Sequence, residues 1–190
     1  LYPKDSPLSK GTIEMKYMTA REEDILTNAN YIKNGTAIDK LLKSLVVTPV
    51  NFDDILLGDK NAIMVAARIL GYGAEYEIKK THPQTVDLST IKDKELDENL
   101  VVDGKNEFDF ILPTSQRNIT FKLLTHKDEF KIDKEIEGLQ KVNQAASTGT
   151  IRLKHIILSV DGDYSSKTIR GFIDKELLAR DARALRKHIS

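Results

Sequence analysis

Apolar and polar residues alternate over residues 11–18, "GTIEMKYM". A two-residue period is typical of a strand with one buried face, because successive side chains point to opposite sides. The sequence therefore predicts a strand near the start of the chain. Its inward-facing side chains are Ile13, Met15 and Tyr17.

Three helical segments are predicted next. Thr19 and Glu22 have capping-box spacing, which indicates a helix that begins at once and that Gly35 is placed to end. Thr36 with Asp39 predicts the start of a second helix, before Pro49 interrupts the pattern. A third helix is expected from about residue 59, capped by the aspartate there. The apolar stripes are Ile38, Leu41, Leu42 and Leu45 in the second helix, and Ile63, Ala66, Ala67 and Leu70 in the third.

The middle of the chain predicts strands separated by polar sequence. Residues 74–81 indicate a strand, and residues 82–106 are rich in charge and short of apolar side chains, so they are expected to have little core. Two further strands over 106–112 and 118–125 flank "PTSQR", which suits a hairpin loop. Their alternating apolar residues are Phe108, Phe110, Leu112, Ile119, Phe121 and Leu123.

Helices are predicted to fill most of the remaining chain. Residues 126–144 form a charged helical pattern with Thr125 as its cap and a sparse apolar face. Residues 147–162 are ambiguous, and a helical stripe fits them better than alternation. Two terminal helices follow, the first after a serine cap. No internal repeat is evident. The sparse face comprises Phe130, Ile132, Ile136 and Leu139.

These elements predict an α+β fold, because strands and helices do not alternate as they do in parallel βαβ sheets. The expected organisation is an N-terminal strand and helical group, a small antiparallel sheet and C-terminal helices. We divide the chain into an N-terminal region over 1–80, a polar excursion over 81–106, and a hairpin with C-terminal helices over 107–190. These regions could also form one compact domain.

The amino-acid composition excludes several classes of function. The 190 residues include 29 basic and 29 acidic side chains, so there is no net field to attract nucleic acid or an anionic membrane. Cysteine is absent, which excludes disulfides, thiolate metal sites and cysteine nucleophiles. No apolar run approaches the roughly 20 residues that span a bilayer. We expect a soluble protein of a cytoplasm or of a particle assembled there.

Candidate chemical motifs favour structural roles. The "GYG" at 71–73 follows a predicted helix, whereas a phosphate loop precedes one, so these glycines are expected to end the helix. The "DGD" at 161–163 lacks the later ligands of a calcium loop and predicts a turn. The four histidines, His82, His126, His155 and His188, are far apart and show no metal-ligand spacing. We therefore predict no catalytic, cofactor-binding or metal site.

The terminal segment "LLARDARALRKHIS" concentrates cations in the last turns of a helix. Cations there complement the partial negative charge of the helix end. An apolar stripe accompanies them, so a docked terminal helix is the favoured interpretation. A nucleic-acid contact and a polar interface role for the arginines stay open as alternatives.

Four stretches resemble, in order, the baseplate hub family of T-even-type contractile-tailed bacteriophages. They begin "SKGTIEMKYMTAREEDIL", "LLGDKNAIMVAARILGYG", "FDFILPTSQRNITFKLLT" and "RDARALRKHI" and cover most of residues 11–189. The resemblance implies a small protein that builds the central hub of the baseplate. It implies no enzymatic activity.

One departure from the family concerns metal. Many relatives carry a cysteine-containing, zinc-ribbon-like excursion where this chain has "KKTHPQTVDL". With no cysteine, and with His82 alone in place of a ligand set, the metal site is not carried over. The excursion is expected to persist as a polar hairpin or loop.

The expected mode of action is contact with other hub or tail proteins, a tape-measure protein among the candidates, in the virion or in the host cytoplasm during assembly. Nucleic acid and membrane are not expected partners. A retained hub subunit and a transient assembly chaperone both stay open, while an enzyme has no motif behind it. Arginines and aromatics dominate such interfaces. The interface candidates are Tyr17, Arg21, Arg68, Tyr72, Tyr76, Arg180, Arg183 and Arg186.

Overall fold

The computed structural model describes residues 1–78, 84–92, 101, 104–142 and 147–189. The helices of this part are α1 (Ala20–Thr27), α2 (Ala29–Lys33), α3 (Ala37–Leu45), α4 (Leu57–Tyr72), α5 (His126–Lys141), α6 (Thr148–Ile156), α7 (Ser166–Lys175) and α8 (Ala179–Ile189). The strands are β1 (Glu75–Ile78), β2 (Gln84–Asp87), β3 (Phe108–Ile111), β4 (Asn118–Phe121) and β5 (Ile157–Val160). Both sheets are antiparallel, which confirms the α+β class.

The chain divides into two compact units. The amino-terminal unit comprises Lys4–Glu95, and the carboxy-terminal unit comprises Leu96–Ser190 together with Leu1–Pro3. The division falls inside the region that the sequence analysis assigned to a polar excursion, 81–106. The three-region organisation itself stays a prediction.

The core of the amino-terminal unit lies where α3 packs against α1 and α4. The α3 stripe is confirmed at three of its four positions, while Ile38 is 41% exposed. The first predicted helix is divided in two, because the Asn28 side chain accepts hydrogen bonds from the N–H groups of Asn30 and Tyr31 and so begins α2. The most deeply buried side chains of this core are Leu42, Leu45 and Ile55.

Helix α4 begins two residues earlier than expected. Leu56 is its N-cap, and Asp59 lies inside the first turn, so the aspartate is not the cap that the sequence predicted. A carboxylate in the first turn still complements the helix dipole. Gly73 ends the helix with a φ of +83°, a left-handed value that glycine adopts without strain, which confirms the predicted role of the "GYG" stretch.

The strand expected over residues 11–18 is reduced to one antiparallel bridge between Met15 and Val46. Two hydrogen bonds hold this bridge, from the N–H of Lys16 to the carbonyl of Leu45 and from the N–H of Val47 to the carbonyl of Glu14. The segment runs alongside Val46 at this one residue, whereas a β-strand needs a neighbouring segment that pairs with it over several residues. The alternating pattern therefore predicted the conformation and not the pairing.

The start of the polar excursion forms a hairpin. Strand β1 pairs with β2 in register, from Glu75 opposite Asp87 to Ile78 opposite Gln84. A hairpin is one of the two forms, hairpin or loop, that the resemblance implied for this excursion. The residue pattern alone did not predict β2, because "QTVD" offers a single strongly apolar side chain. The turn between the two strands, with His82, lies outside the described residues.

The carboxy-terminal unit is built on a three-stranded sheet of order β3-β4-β5. The predicted hairpin is confirmed, with Phe108 opposite Phe121 and Phe110 opposite Ile119. Helix α5 starts as predicted, because the Thr125 side chain accepts a hydrogen bond from the N–H of Asp128. Phe130 of the predicted apolar face is instead 57% exposed.

The ambiguous stretch 147–162 contains both structures. Helix α6 ends at Ile156, and the next residue begins β5, which pairs with β4. The single helical stripe predicted there is therefore wrong in its second half, because pairing with a distant strand overrides the local pattern. The "DGD" stretch is confirmed as a turn, with positive φ at Asp161 (49°) and Gly162 (82°).

Asp181 connects the terminal helix to the β3–β4 hairpin. Its carboxylate is 0% exposed and accepts hydrogen bonds of 2.8 and 2.9 Å from the backbone N–H groups of Thr114 and Ser115. Burial by itself would raise the pKa of Asp181, but the hydrogen bonds from Ser115 and Thr114 hold it below the ordinary value. The charged form thus stabilises both the hairpin loop and the position of α8.

The two units share an internal repeat that sequence inspection did not identify. Each unit has the same order of elements: an extended segment, a helical stretch and a nine-residue helix, which is α3 or α6. The chain then becomes extended again, pairs with the first segment and continues into a further helix. The pairing is the same in both, since the N–H of Lys16 donates to the last residue of α3 and the N–H of Lys122 donates to the last residue of α6. The amino-terminal unit is therefore a second version of the β4–α5–α6–β5–α7 arrangement.

The helix starts in the two units are also equivalent. Lys16 Nζ lies 2.8 Å from the buried Glu22 carboxylate, and Lys122 Nζ lies 2.7 Å from the buried Asp128 carboxylate. In each case the same carboxylate accepts the N–H of a threonine three residues before it, at 3.1 Å. The shared sequence signal is lysine, threonine and an acid at intervals of three residues.

Substitution of Asp181 by alanine is expected to lower the free energy of unfolding by about 2–4 kcal/mol, because two partly buried backbone N–H groups lose their acceptor and the hairpin loop loses its link to α8. Asp181→Asn keeps one acceptor oxygen and is expected to cost less. Urea unfolding followed by circular dichroism measures both effects. Asp133→Asn, on the exposed face of α5, is the control and should change little; an equal loss in this control would contradict the anchoring role of Asp181.

Stability is expected to fall in acid below about pH 4. The hydrogen bond from Lys16 is the largest cause of a lowered pKa at Glu22. Burial would raise the pKa of Asp128, but the hydrogen bonds from Lys122 and Thr125 outweigh burial and hold this pKa below its ordinary value. A carboxyl whose folded pKa lies below its unfolded value, about 4, stabilises the fold fully above that value and loses the contribution as pH falls through the folded pKa. Urea midpoints between pH 7 and pH 2.5 measure this slope. Asp128→Asn should flatten it and Asp133→Asn should not.

Candidate interaction surfaces

The eight interface candidates fall into two groups, one in each unit. Five lie in the amino-terminal unit and three lie on α8 in the carboxy-terminal unit. Three of the first five form a cluster, together with one acid that the sequence analysis did not select. We call this the Arg68 cluster, which comprises Glu23, Arg68, Tyr72 and Tyr76.

Arg68 is the centre of the Arg68 cluster. Its guanidinium donates hydrogen bonds to the backbone carbonyls of Gly73 (2.9 Å) and Glu75 (3.3 Å), where α4 ends and β1 begins. It also lies 5.1 Å from the ring centroid of Tyr72 and 5.7 Å from that of Tyr76, within cation–π range. The arginine therefore has an internal role that its sequence position does not reveal, since it stabilises the turn between α4 and β1.

Tyr72 and Tyr76 give the cluster its accessible apolar surface, being 49% and 46% exposed. The Tyr72 hydroxyl donates to a carboxylate oxygen of Glu23 on α1, at 3.1 Å. Partial burial is the largest cause of a raised pKa at Tyr72, and the acceptor Glu23 adds to it. The phenol therefore stays protonated and able to donate at neutral pH. Two tyrosine rings held by one arginine form a rigid amphipathic patch that suits protein contact.

The other two candidates of this unit form no hydrogen bond or ring contact with the cluster in the described part of the chain. Tyr17 is 73% exposed, and Arg21 is exposed on α1. Met18, next to Tyr17, packs on α4: a Cβ at Gly71 would approach the Met18 Cε to 3.0 Å. The extended segment is therefore seated on α4 through Met18, while the Tyr17 ring remains accessible.

Helix α8 presents the second group. Asp181, Ala182 and Leu185 are buried, which confirms that the terminal helix is docked. The three arginines are exposed on the remaining surface. Near the end of the helix, the His188 ring stacks on Phe110 with centroids 4.5 Å apart. The exposed arginines, Arg180, Arg183 and Arg186, follow one another at intervals of three residues.

An ion-pair network across α5, α6 and α7 was missed by sequence reasoning. Glu135 contacts His155 at 2.9 Å and Arg170 at 3.0 Å. The Arg170 guanidinium is the largest cause of a lowered pKa at Glu135. Because these residues are 20 and 35 positions apart, no local spacing signals them. The network joins three helices and has the character of a structural contact.

The described residues contain no group of three or more His, Asp or Glu side chains that could hold a metal ion. None of the described helices is long and apolar enough to cross a membrane. An open depression of about 270 Å³ is lined by residues that include Lys43, Val46 and Phe52. This volume lies just below the usual range for small-molecule sites, so the exposed clusters are the stronger candidates for function.

Arg68→Lys is expected to destabilise the amino-terminal unit by about 1–2 kcal/mol, because lysine cannot reproduce the forked hydrogen bonds or the ring contacts. Arg21→Lys, on the exposed face of α1, is the matched control and should stay within about 0.5 kcal/mol of the parent. Urea unfolding measures both variants. Equal effects in the two would show that Arg68 is not a structural residue.

Comparisons of this chain with protein-family models, with curated proteins and with solved structures found no match.

Proposed function

We propose that this protein is a component of the baseplate hub of a contractile-tailed bacteriophage, where it acts as a structural subunit through contacts with other hub or tail proteins. The support from sequence is the ordered resemblance of four stretches to the hub family. The support from structure is the pair of exposed arginine and tyrosine surfaces. Catalysis has no part in the proposal.

Helix α8 is the observation that carries the proposal. The buried Asp181 fixes the helix to the β3–β4 hairpin, and the exposed arginines project from this fixed support. The docked helix fixes the backbone positions of these arginines, and their planar guanidinium groups can form paired hydrogen bonds to carboxylates, which favours a specific contact over a diffuse charge attraction. Their positive charge favours a partner surface that carries carboxylates. The same helix includes the "RDARALRKHI" stretch of the resemblance.

A transient assembly chaperone is the second candidate, and one feature of α5 favours it. Phe130 is 57% exposed on an otherwise highly charged helix, with Lys134 Nζ 4.4 Å from its ring centroid. A single aromatic on a polar surface suits a weak and reversible contact, whereas permanent interfaces are more apolar. Both candidates act through protein surfaces and differ in whether the contact persists.

Protein counting on purified and washed particles of a phage that carries this gene distinguishes the two candidates. A structural subunit is expected at a fixed number of copies in each tail. Absence from particles, together with incomplete baseplates when the gene is deleted, would support the chaperone. Complete and infectious tails after deletion of the gene would contradict both.

The role of α8 is tested by replacing Arg180, Arg183 and Arg186 with glutamine. Infectious particles are expected to fall about tenfold or more, because centrally placed arginines contribute much of the affinity of a protein interface. The matched control replaces the exposed Lys10, Lys33 and Lys141 with glutamine, which gives the same change in net charge. Circular dichroism establishes that both variants fold. An equal titre for the two variants would show that α8 is not the contact surface.

A further inference from the structure

The internal repeat reveals an unpaired edge in the amino-terminal unit. In the carboxy-terminal unit β4 has a strand on each side, β3 and β5. The equivalent of β4 is the extended segment around Met15, and Val46 occupies the position of β5 beside it. Within the described part of the chain, no strand takes the position of β3. One side of this segment thus lacks the neighbour that its counterpart has.

The hydrogen-bond pattern identifies the groups on the open side. Glu14 and Lys16 direct their bonds toward α3 and the residues that follow it, through the carbonyl of Glu14 and the N–H of Lys16. Because the direction alternates along an extended chain, the N–H and carbonyl groups of the intervening residues point the other way. Those residues are Ile13, Met15 and Tyr17, whose backbone groups have no hydrogen-bond partner among the described residues.

The open edge is complementary to a second copy of itself. An antiparallel pairing centred on Met15 places Met15 opposite Met15, with the outward-pointing backbone groups in phase for hydrogen bonding. It also places Glu14 of each copy opposite Lys16 of the other, whose ammonium contacts Glu22 of its own chain and whose side chain is still 47% exposed. Opposite charges facing across strands stabilise the pair, and a two-fold axis repeats each contact. Ile13 and Tyr17 then face each other twice, and the Tyr17 ring is 73% exposed in the single chain.

We propose that two copies of this chain associate by antiparallel pairing of residues 13–17, so that each copy supplies the second neighbouring strand that the described part of the other's amino-terminal unit does not provide. The inference goes beyond the proposed hub function and does not depend on it. Two edges of about five residues bury less area than the roughly 1,200 Å² of the smallest standard interfaces. Association is therefore expected to be weak and visible only at concentrations on the order of 100 µM.

Sedimentation velocity across a concentration series tests the proposal. The parent chain is expected to shift toward a dimer at high concentration, and Glu14→Lys should abolish the shift because lysines then face lysines. Glu137→Lys, an equal charge change on the exposed side of α5, is the control and should still dimerise.

Cross-linking tests the register without relying on charge. The chain has no cysteine, so a single introduced cysteine reports one position. In the proposed pairing the two Met15 Cα atoms lie about 5.5 Å apart, within disulfide range, while the two Tyr17 Cα atoms lie about 14 Å apart. Under oxidation Met15→Cys is expected to form covalent dimers about tenfold faster than Tyr17→Cys.

Three results would overturn the proposal: a parent chain that remains monomeric at about 500 µM, equal cross-linking rates at the two cysteine positions, or dimerisation that survives Glu14→Lys. The parent chain could be monomeric, with the backbone amides of residues 13–17 protected from hydrogen exchange only when a different protein is bound. That result would identify a strand of that protein as the occupant and would also overturn pairing between copies. Circular dichroism on each variant separates loss of association from loss of fold.

Discussion

Buried carboxylates that accept backbone N–H groups set the geometry on which the rest of this structure depends. A charge removed from water is costly unless hydrogen bonds replace its hydration. Glu22 and Asp128 meet this requirement at the starts of α1 and α5, and Asp181 meets it by binding the β3–β4 loop. Each acid ties a helix to the chain segment before or beside it. The position of α8, and with it the location of the exposed arginines, follows from the Asp181 contact.

The contact between a lysine, a threonine and a buried acid occurs in both units of the repeat. In both units the lysine, threonine and acid act together, so the extended segment that carries the lysine is joined to the helix that follows. The same local device supports a three-stranded sheet in one unit and a single bridge in the other. The helix start therefore does not determine how many strands gather beside it. What differs is the presence of a neighbour such as β3, which provides apolar side chains opposite Phe121 and Ile119.

Local signals predicted the features that depend on local chemistry. The starts of α1 and α5, the end of α4 at Gly73, the β3–β4 hairpin and the docked α8 all follow from caps, turns and apolar periods within a few residues. The end of α6 could not be predicted in this way, because β5 forms by pairing with β4, about 40 residues away. The internal role of Arg68 was equally hidden, since its acceptors are backbone carbonyls that exist in position only after α4 and β1 have formed. Among the interface candidates, composition identified the residue types, and only the fold separated the structural arginine from those exposed on α8.

The extended segment around Met15 shows why a periodic pattern and a strand are different things. Alternation predicts that an extended segment has two unlike faces, and the partial burial of Ile13 and Met15 agrees with that prediction. The inward position predicted for Tyr17 is wrong, because its ring is 73% exposed beyond the single bridge at Met15. A strand further requires partners for the backbone groups on both sides or water in their place. In the carboxy-terminal unit the chain itself supplies both partners, whereas the described part of the amino-terminal unit supplies one. In the proposed pairing, the backbone groups that the described residues leave without a partner bond to a second copy, and the charges of Glu14 and Lys16 favour the antiparallel direction.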